Sequence, residues 1–153
     1  MDKQPISPSK IRAAAMDLLT GREFSRQELK SKLDRKFEGC SEIDGVLDQL
    51  HRDGLQSDER FTGSFLRSRL GRGQGPARIR LEIREKGINA SLLEQVLEAE
   101  NIDWYMLARG VAQRKFGPEL PLDPRERAKR MRFLQYRGFS YDHIDFALSD
   151  NRD

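Results

Sequence analysis

The chain has 153 residues, of which 37% are hydrophobic and 35% charged, too little apolar material for one thick core. It is enough for thin helical layers that each bury one stripe. Lys and Arg number 28 against 25 Asp and Glu, and a net charge of +3 is too small to establish a nucleic-acid partner; the placement of the charges matters more than their sum.

Short helices with clear start signals follow one another. Ser7-Pro8 reads as an N-cap with proline in the first turn, and Ile11, Ala14, Ala15, Leu18 and Leu19 then form one apolar stripe that Gly21 ends. Ser25-Arg26-Gln27-Glu28 is a capping box, in which Ser and Glu side chains satisfy exposed backbone amides reciprocally. Leu29 and Leu33 supply the second stripe. A third helix is expected from Ser41, with Ile43, Val46, Leu47 and Leu50 on one side and Gly54 as its stop.

The pattern then restarts. Phe61, Phe65, Leu66 and Leu70 mark a fourth helix, which Gly71-Arg72-Gly73-Gln74-Gly75 ends. Gly75-Pro76 opens a fifth carrying Ile79 and Ile83 up to Gly87, and Asn89 caps a sixth with Leu92, Leu93, Val96 and Leu97 facing inward. A third cycle begins near Asp103 with Trp104, Leu107, Ala108 and Val111. Gly117 to Pro121 is a loop. Asp123-Pro124-Arg125-Glu126 then starts a helix that contains Leu134 and ends at Gly138, and Ser140 caps a last one with Ile144 and Leu148.

With Phe37, Gly87 and Gly138 in register, the cycles superimpose. Leu33, Ile83 and Leu134 then share the position four residues before; Ile43, Leu93 and Ile144 share the position six after, and Leu47, Leu97 and Leu148 the position ten after. The interval is about 50 residues and each cycle holds three helices. The expected fold is all-α: three tandem three-helix, helix-turn-helix-like repeats at 7–55, 56–102 and 103–149. Such units contact mainly their neighbours and stack into an elongated, curved body.

Little in the chain points to catalysis. His51 and His143 stand in different repeats with no acid at ligand or triad spacing, so neither a catalytic centre, a metal site nor a cofactor is expected. Cys40 is the single cysteine, which rules out an intramolecular disulfide and a thiolate zinc site; a partly buried, reduced thiol is expected. The closely spaced glycines of the 71–75 loop could cradle an anion, but the Gly-Lys-Ser/Thr ending of a nucleotide loop is missing and a helix, not a strand, precedes it. A flexible joint between helices is the expected role. No apolar run approaches the roughly 20 residues needed to span a bilayer. The leading Met1-Asp2-Lys3-Gln4-Pro5 lacks the apolar stretch of a secretory signal, so a cytoplasmic protein with no membrane contact is expected.

The basic residues are unevenly placed. Arg67, Arg69, Arg72, Arg78, Arg80, Arg84 and Lys86 face only Glu82 and Glu85 as acids, and Arg125, Arg127, Lys129, Arg130, Arg132 and Arg137 face only Glu126. Arginines concentrated on successive helices neutralise phosphates or pair with acidic protein surface. Trp104 at helical spacing is expected in a core; Tyr105 and Tyr136 are the aromatics available for stacking on bases.

Several phrases resemble the RecX family. Ser25-Arg26-Gln27-Glu28-Leu29 is similar to its first-repeat S-R-x-E-L, and Leu55-Gln56-Ser57-Asp58-Glu59-Arg60-Phe61 to its L-x-D-x-x-F junction. Gly73-Gln74-Gly75-Pro76-Ala77-Arg78-Ile79 resembles G-x-x-x-I, Glu85-Lys86-Gly87-Ile88 resembles x-K-G-I, and Arg132-Phe133-Leu134-Gln135-Tyr136-Arg137-Gly138-Phe139-Ser140 resembles F-L-x-R-R-G-F-S. The order is kept from about Ile11 to Leu148. Tyr136 departs where a second basic residue is common, and the 117–121 loop is particular to this chain.

The resemblance implies a monomeric, non-enzymatic regulator of RecA. It would lodge in the groove of RecA filaments on single-stranded DNA and inhibit ATP hydrolysis, strand exchange and co-protease activity. On that reading Arg67, Arg69, Arg72, Arg78, Arg80, Arg84, Arg125, Lys129 and Arg132 are the residues expected to meet RecA or DNA, single- or double-stranded. The alternative built on the same arginines is a stand-alone helix-turn-helix-like DNA-binding protein.

Overall fold

In the computed structural model, which describes residues 6–150, the chain is nine helices among the described residues: α1 (Pro8–Gly21), α2 (Arg26–Lys36), α3 (Ile43–Arg52), α4 (Asp58–Gly71), α5 (Pro76–Glu85), α6 (Ala90–Glu100), α7 (Trp104–Phe116), α8 (Pro124–Tyr136) and α9 (Tyr141–Ala147). The reading of Met1–Pro5 as no secretory signal lies outside those residues. Side chains at Ser7, Ser25, Ser57, Asn89, Asp103, Asp123 and Ser140 each accept a backbone N–H of the first helical turn. The capping box at Ser25 is formed in both directions, Glu28 N–H to Ser25 Oγ and Ser25 N–H to Glu28 Oε1, each at 3.1 Å. A second box, not anticipated, pairs Ser140 with His143, whose Nδ1 accepts the Ser140 N–H at 3.2 Å. The third helix starts two residues later than Ser41, at Ile43, after a Glu42 N-cap that makes no side-chain bond.

Each helix packs against the other two of its own trio, and three separate apolar cores result. The nine register positions Leu33, Ile83, Leu134, Ile43, Leu93, Ile144, Leu47, Leu97 and Leu148 are all buried. Cys40 is a free thiol, half-buried against the first core. Trp104 is half-buried and lies against both the second and the third core.

The units join end to end through the second helix of each. At the first junction Ser25 Oγ donates to the Lys86 carbonyl at 2.8 Å and Gln27 Nε2 to the Glu85 carbonyl at 2.9 Å. At the second, Gly75 N–H donates to the Arg137 carbonyl at 2.7 Å and Ala77 N–H to the Gly138 carbonyl at 3.0 Å. The start of one helix, rich in unsatisfied N–H groups and carrying the positive end of its dipole, thus sits on the carbonyl-rich end of the next. The Gly71–Gly75 joint is therefore tightly packed and not loose, with Gly73, Gln74 and Gly75 buried.

This seating explains one departure from the expected register. Gly87 and Gly138 follow their helices in the left-handed region, at φ +81° and +98°. In the first unit Phe37 is an ordinary C-cap at φ −114°, and the left-handed residues are Glu38 and Gly39 one and two places on. Gly87 lies against the side chain of Gln27, and Gly138 against Arg78 of the unit before it. Among the described residues no unit precedes the first, so a side chain fits at Glu38.

A Cβ on Gly138 would fall 2.5 Å from the Arg78 Cβ, and the backbone there is already left-handed. Gly138→Ala is accordingly expected to destabilise the chain by about 1–3 kcal/mol, read as a lower urea midpoint. Gly110→Ala, a helical position with open space around the added methyl, should hold or slightly raise the midpoint.

Candidate partner-binding surface

The nine arginine and lysine positions singled out from sequence divide into three groups. Arg69 and Arg78 are structural. Both reach the carboxylate of Glu82, Arg69 Nε at 2.7 Å and Arg78 Nε at 3.1 Å, and Gln74 Nε2 donates to it as well. Arg69 is 19% exposed, its guanidinium 4.3 Å from the Phe65 ring centroid. Arg78 crosses the second junction, donating to the Tyr136 carbonyl at 3.4 Å and lying 5.0 Å from the Tyr136 ring. Arg67 and Arg80 form exposed pairs with Glu100 and Glu94, at 3.3 and 3.1 Å. Pairs of this kind hold little energy and are readily exchanged for a partner's charge.

The remaining five are open. Arg72, Arg84, Arg125, Lys129 and Arg132 are exposed and pair with no carboxylate among the described residues. Arg125, Lys129 and Arg132 fall at i, i+4 and i+7 on α8, which makes one basic stripe. In the repeat register, Arg132 corresponds to Leu81 and not to Arg80 or Arg84. The stripes on α5 and α8 therefore occupy different sides of their units.

Sequence runs hide what the fold adds. Arg114 and Lys115, near the end of α7, come beside Arg72 and Arg137 in a cleft at the second junction. They lie outside both basic runs and fall opposite Gly63 and Ser64 in the repeat register; only counting from the N-caps Ser57 and Asp103 sets Lys115 against Arg69. The loop glycines do not offer a phosphate cradle, because the Gly75 and Ala77 amides are already bonded to carbonyls of the third unit. Tyr105 packs edge-on against His143 and Phe146, at 4.8 and 5.5 Å, while Tyr136 stays 75% exposed.

Among the described residues no group of three His, Cys, Asp or Glu is placed to hold a metal ion, and no helix is long and apolar enough to cross a membrane. His51 is exposed in the last turn of α3. His143 is tied to its capping box, and burial holds its imidazole below the usual value against the opposing pull of Asp142.

Three small all-helical units strung end to end, with cationic side chains open on more than one face, define a tandem array of helix-turn-helix-like repeats. Two family models match it: RecX, second three-helix domain, over residues 57–97, and RecX, third three-helix domain, over 102–148. The chain is 44% identical to the regulatory protein RecX of Pseudomonas putida, over 94% of this chain and 92% of that protein. It is 41% identical to the regulatory protein RecX of Halorhodospira halophila, over 91% and 86%. Among solved structures, RecX from Lactobacillus salivarius superimposes with a TM-score of 0.75 at 25% identity, covering 92% of this chain and 93% of that one. A second regulatory protein RecX shares the fold, with a TM-score of 0.77 at 19% identity over 99% and 83%. The chain belongs to the RecX family of regulatory proteins.

Two carboxylates brace the junctions. Burial pushes Glu28 up, but hydrogen bonds from Arg22 and the Ser25 amide, with the charges of Arg22 and Lys86, together hold it below the ordinary carboxylate value. Glu82 behaves alike: desolvation raises it, and Arg78 and Arg69 outweigh that. A carboxylate depressed in the folded state contributes stability above its unfolded value, near 4.3, that is lost as pH falls through the folded value. The urea midpoint should therefore drop between about pH 5 and about pH 3, and the drop should be shallower in a Glu82→Gln variant.

Proposed function

We propose that this chain binds RecA filaments assembled on single-stranded DNA and restrains their ATP hydrolysis, strand exchange and co-protease activity. The observation that carries the reading is its likeness to regulatory RecX proteins over 94% of its length, which spans all three helical trios. It acts as a monomeric, non-enzymatic cytoplasmic regulator, with units 7–55, 56–102 and 103–149 each presenting its own surface. An end-to-end array suits a partner that is itself long and repetitive, because successive units reach successive subunits.

Arg72 and Arg84 in the second unit and Arg125, Lys129 and Arg132 in the third are the contacts of choice. Their charges are engaged by no carboxylate among the described residues, so meeting an acidic surface or a phosphate breaks no ion pair seen there. Arg69 and Arg78 serve instead to hold the units in line, and Arg67 and Arg80 add exposed, exchangeable charge. The stand-alone DNA-binding alternative uses the same open cations but needs no RecA.

Titrating the chain into RecA on single-stranded DNA while following ATP hydrolysis tests the reading. Inhibition is expected at amounts well below RecA, since one molecule would then silence many subunits; no effect at equal amounts would refute it. Reversing Arg125, Lys129 and Arg132 to Glu should weaken inhibition about tenfold or more with helicity unchanged, each exposed contact being worth up to about 1 kcal/mol.

A further inference from the structure

The two junctions build the same cleft twice, once with carboxylates among its cations and once without. At the first, Arg22 caps the end of α1, Lys86 the end of α5, and Arg69 projects from the last turn of α4. These three cations are neutralised internally, while a fourth, Arg72, lines both this cleft and the next. Arg22 and Lys86 both pair with Glu28, at 3.1 and 3.4 Å, and Arg69 pairs with Glu82 at 2.7 Å. Glu23 also stands at this cleft and pairs with Arg60 at 3.0 Å.

At the second junction the equivalent cations are present and the acids are gone. Arg72 caps α4 as Arg22 caps α1, and Arg137 caps α8 as Lys86 caps α5. Counted from the N-caps Ser57 and Asp103, Lys115 takes the place of Arg69 and Arg114 that of Ser68. In the repeat register, set by Phe37, Gly87 and Gly138, Gly73 replaces Glu23, Arg78 replaces Glu28, and Phe133 replaces Glu82. The cleft, about 380 Å³, is lined by Arg72, Arg114, Lys115 and Arg137 and by no carboxylate. Lys115 Nζ and the Arg137 guanidinium lie 5.5 and 5.0 Å from the Phe133 ring centroid, which holds both in place. Arg137 spends one N–H on the Arg72 carbonyl at 2.6 Å.

We propose that the second-junction cleft seats backbone phosphates of a nucleic-acid strand on Arg72, Arg114, Lys115 and Arg137. Phosphate is favoured over protein carboxylates because the centres of protein–protein interfaces are depleted of charge, whereas nucleic-acid interfaces are strongly cationic. Gly71, exposed on the cleft wall with open space around it, carries no side chain to keep a strand at a distance. The site gives the chain its own hold on DNA. It extends the filament reading and does not depend on it.

The test is fluorescence anisotropy of a labelled oligothymidylate with the whole chain, without RecA, across a range of salt. Binding at low salt is expected, and replacing Arg114 and Lys115 by Gln should weaken it several-fold. The slope of log affinity against log salt should flatten by about 1.4, or about 0.7 for each phosphate that no longer meets a cation. Arg114→Lys should retain binding. Glu28→Gln, which can keep the capping box while releasing Arg22 and Lys86 at the first cleft, should strengthen it. No binding by the unaltered chain at low salt, or an Arg114→Gln/Lys115→Gln chain that binds with unchanged slope, would overturn the proposal. So would displacement of the oligonucleotide by polyglutamate as effective, charge for charge, as displacement by oligothymidylate. RecA ATP hydrolysis, measured in parallel, reads the filament proposal alone: oligonucleotide binding with no inhibition supports the cleft and removes the filament role.

Discussion

The architecture hangs on one contact made twice, the beginning of a helix resting on the end of the corresponding helix in the next unit. Helix ends leave backbone donors and acceptors that must find partners. Here the donors of α5 meet the carbonyls that finish α8 directly, and the Ser25 and Gln27 side chains of α2 reach the carbonyls that finish α5. Each junction also brings the positive end of one helix dipole to the negative end of another. With this contact in place, three cores too thin to be robust separately are held in fixed succession, and the charged side chains around them acquire definite neighbours.

Much of the fold was legible because it rests on local rules. The stripes of α1, α3 and α6 are written at helical spacing, and seven of the N-caps are residues whose side chains bond the first turn. The three-fold register was legible for the same reason: each of its nine apolar positions is a core residue of an equivalent helix. What escaped were features that depend on another unit. Phe37 looks equivalent to Gly87 and Gly138 until the neighbour that excludes a side chain is considered, and the Ser140–His143 box needed the imidazole's orientation.

The charged surface was only half legible, and the reason is physical. A run of arginines along the sequence records how many cations lie near one another, not which of them are engaged. Glu82 alone engages Arg69 and Arg78 from two helices, so two residues that look like surface charge brace the frame. Arg84, Arg125, Lys129 and Arg132 remain open, and Arg72 gathers with Arg114, Lys115 and Arg137, residues the run-based reading treated separately or passed over. Repetition helps here in a way that composition cannot. Two equivalent clefts within one chain, one with its acids and one without, act as an internal control for what each carboxylate does.

The shared indole of Trp104 has a consequence for how the array comes apart. The second and third units bury one side chain in common and are also tied by main-chain hydrogen bonds, whereas the first is tied to the second by side-chain bonds and ion pairs. Charge screening does not weaken apolar burial or main-chain bonding, while exposed ion pairs lose strength as ionic strength rises. Unfolding is then a lopsided affair: the leading unit detaches and melts as its own cooperative block, and the trailing pair opens later as a single larger one. A pull applied to the ends would show two ruptures, the earlier of them softened by salt.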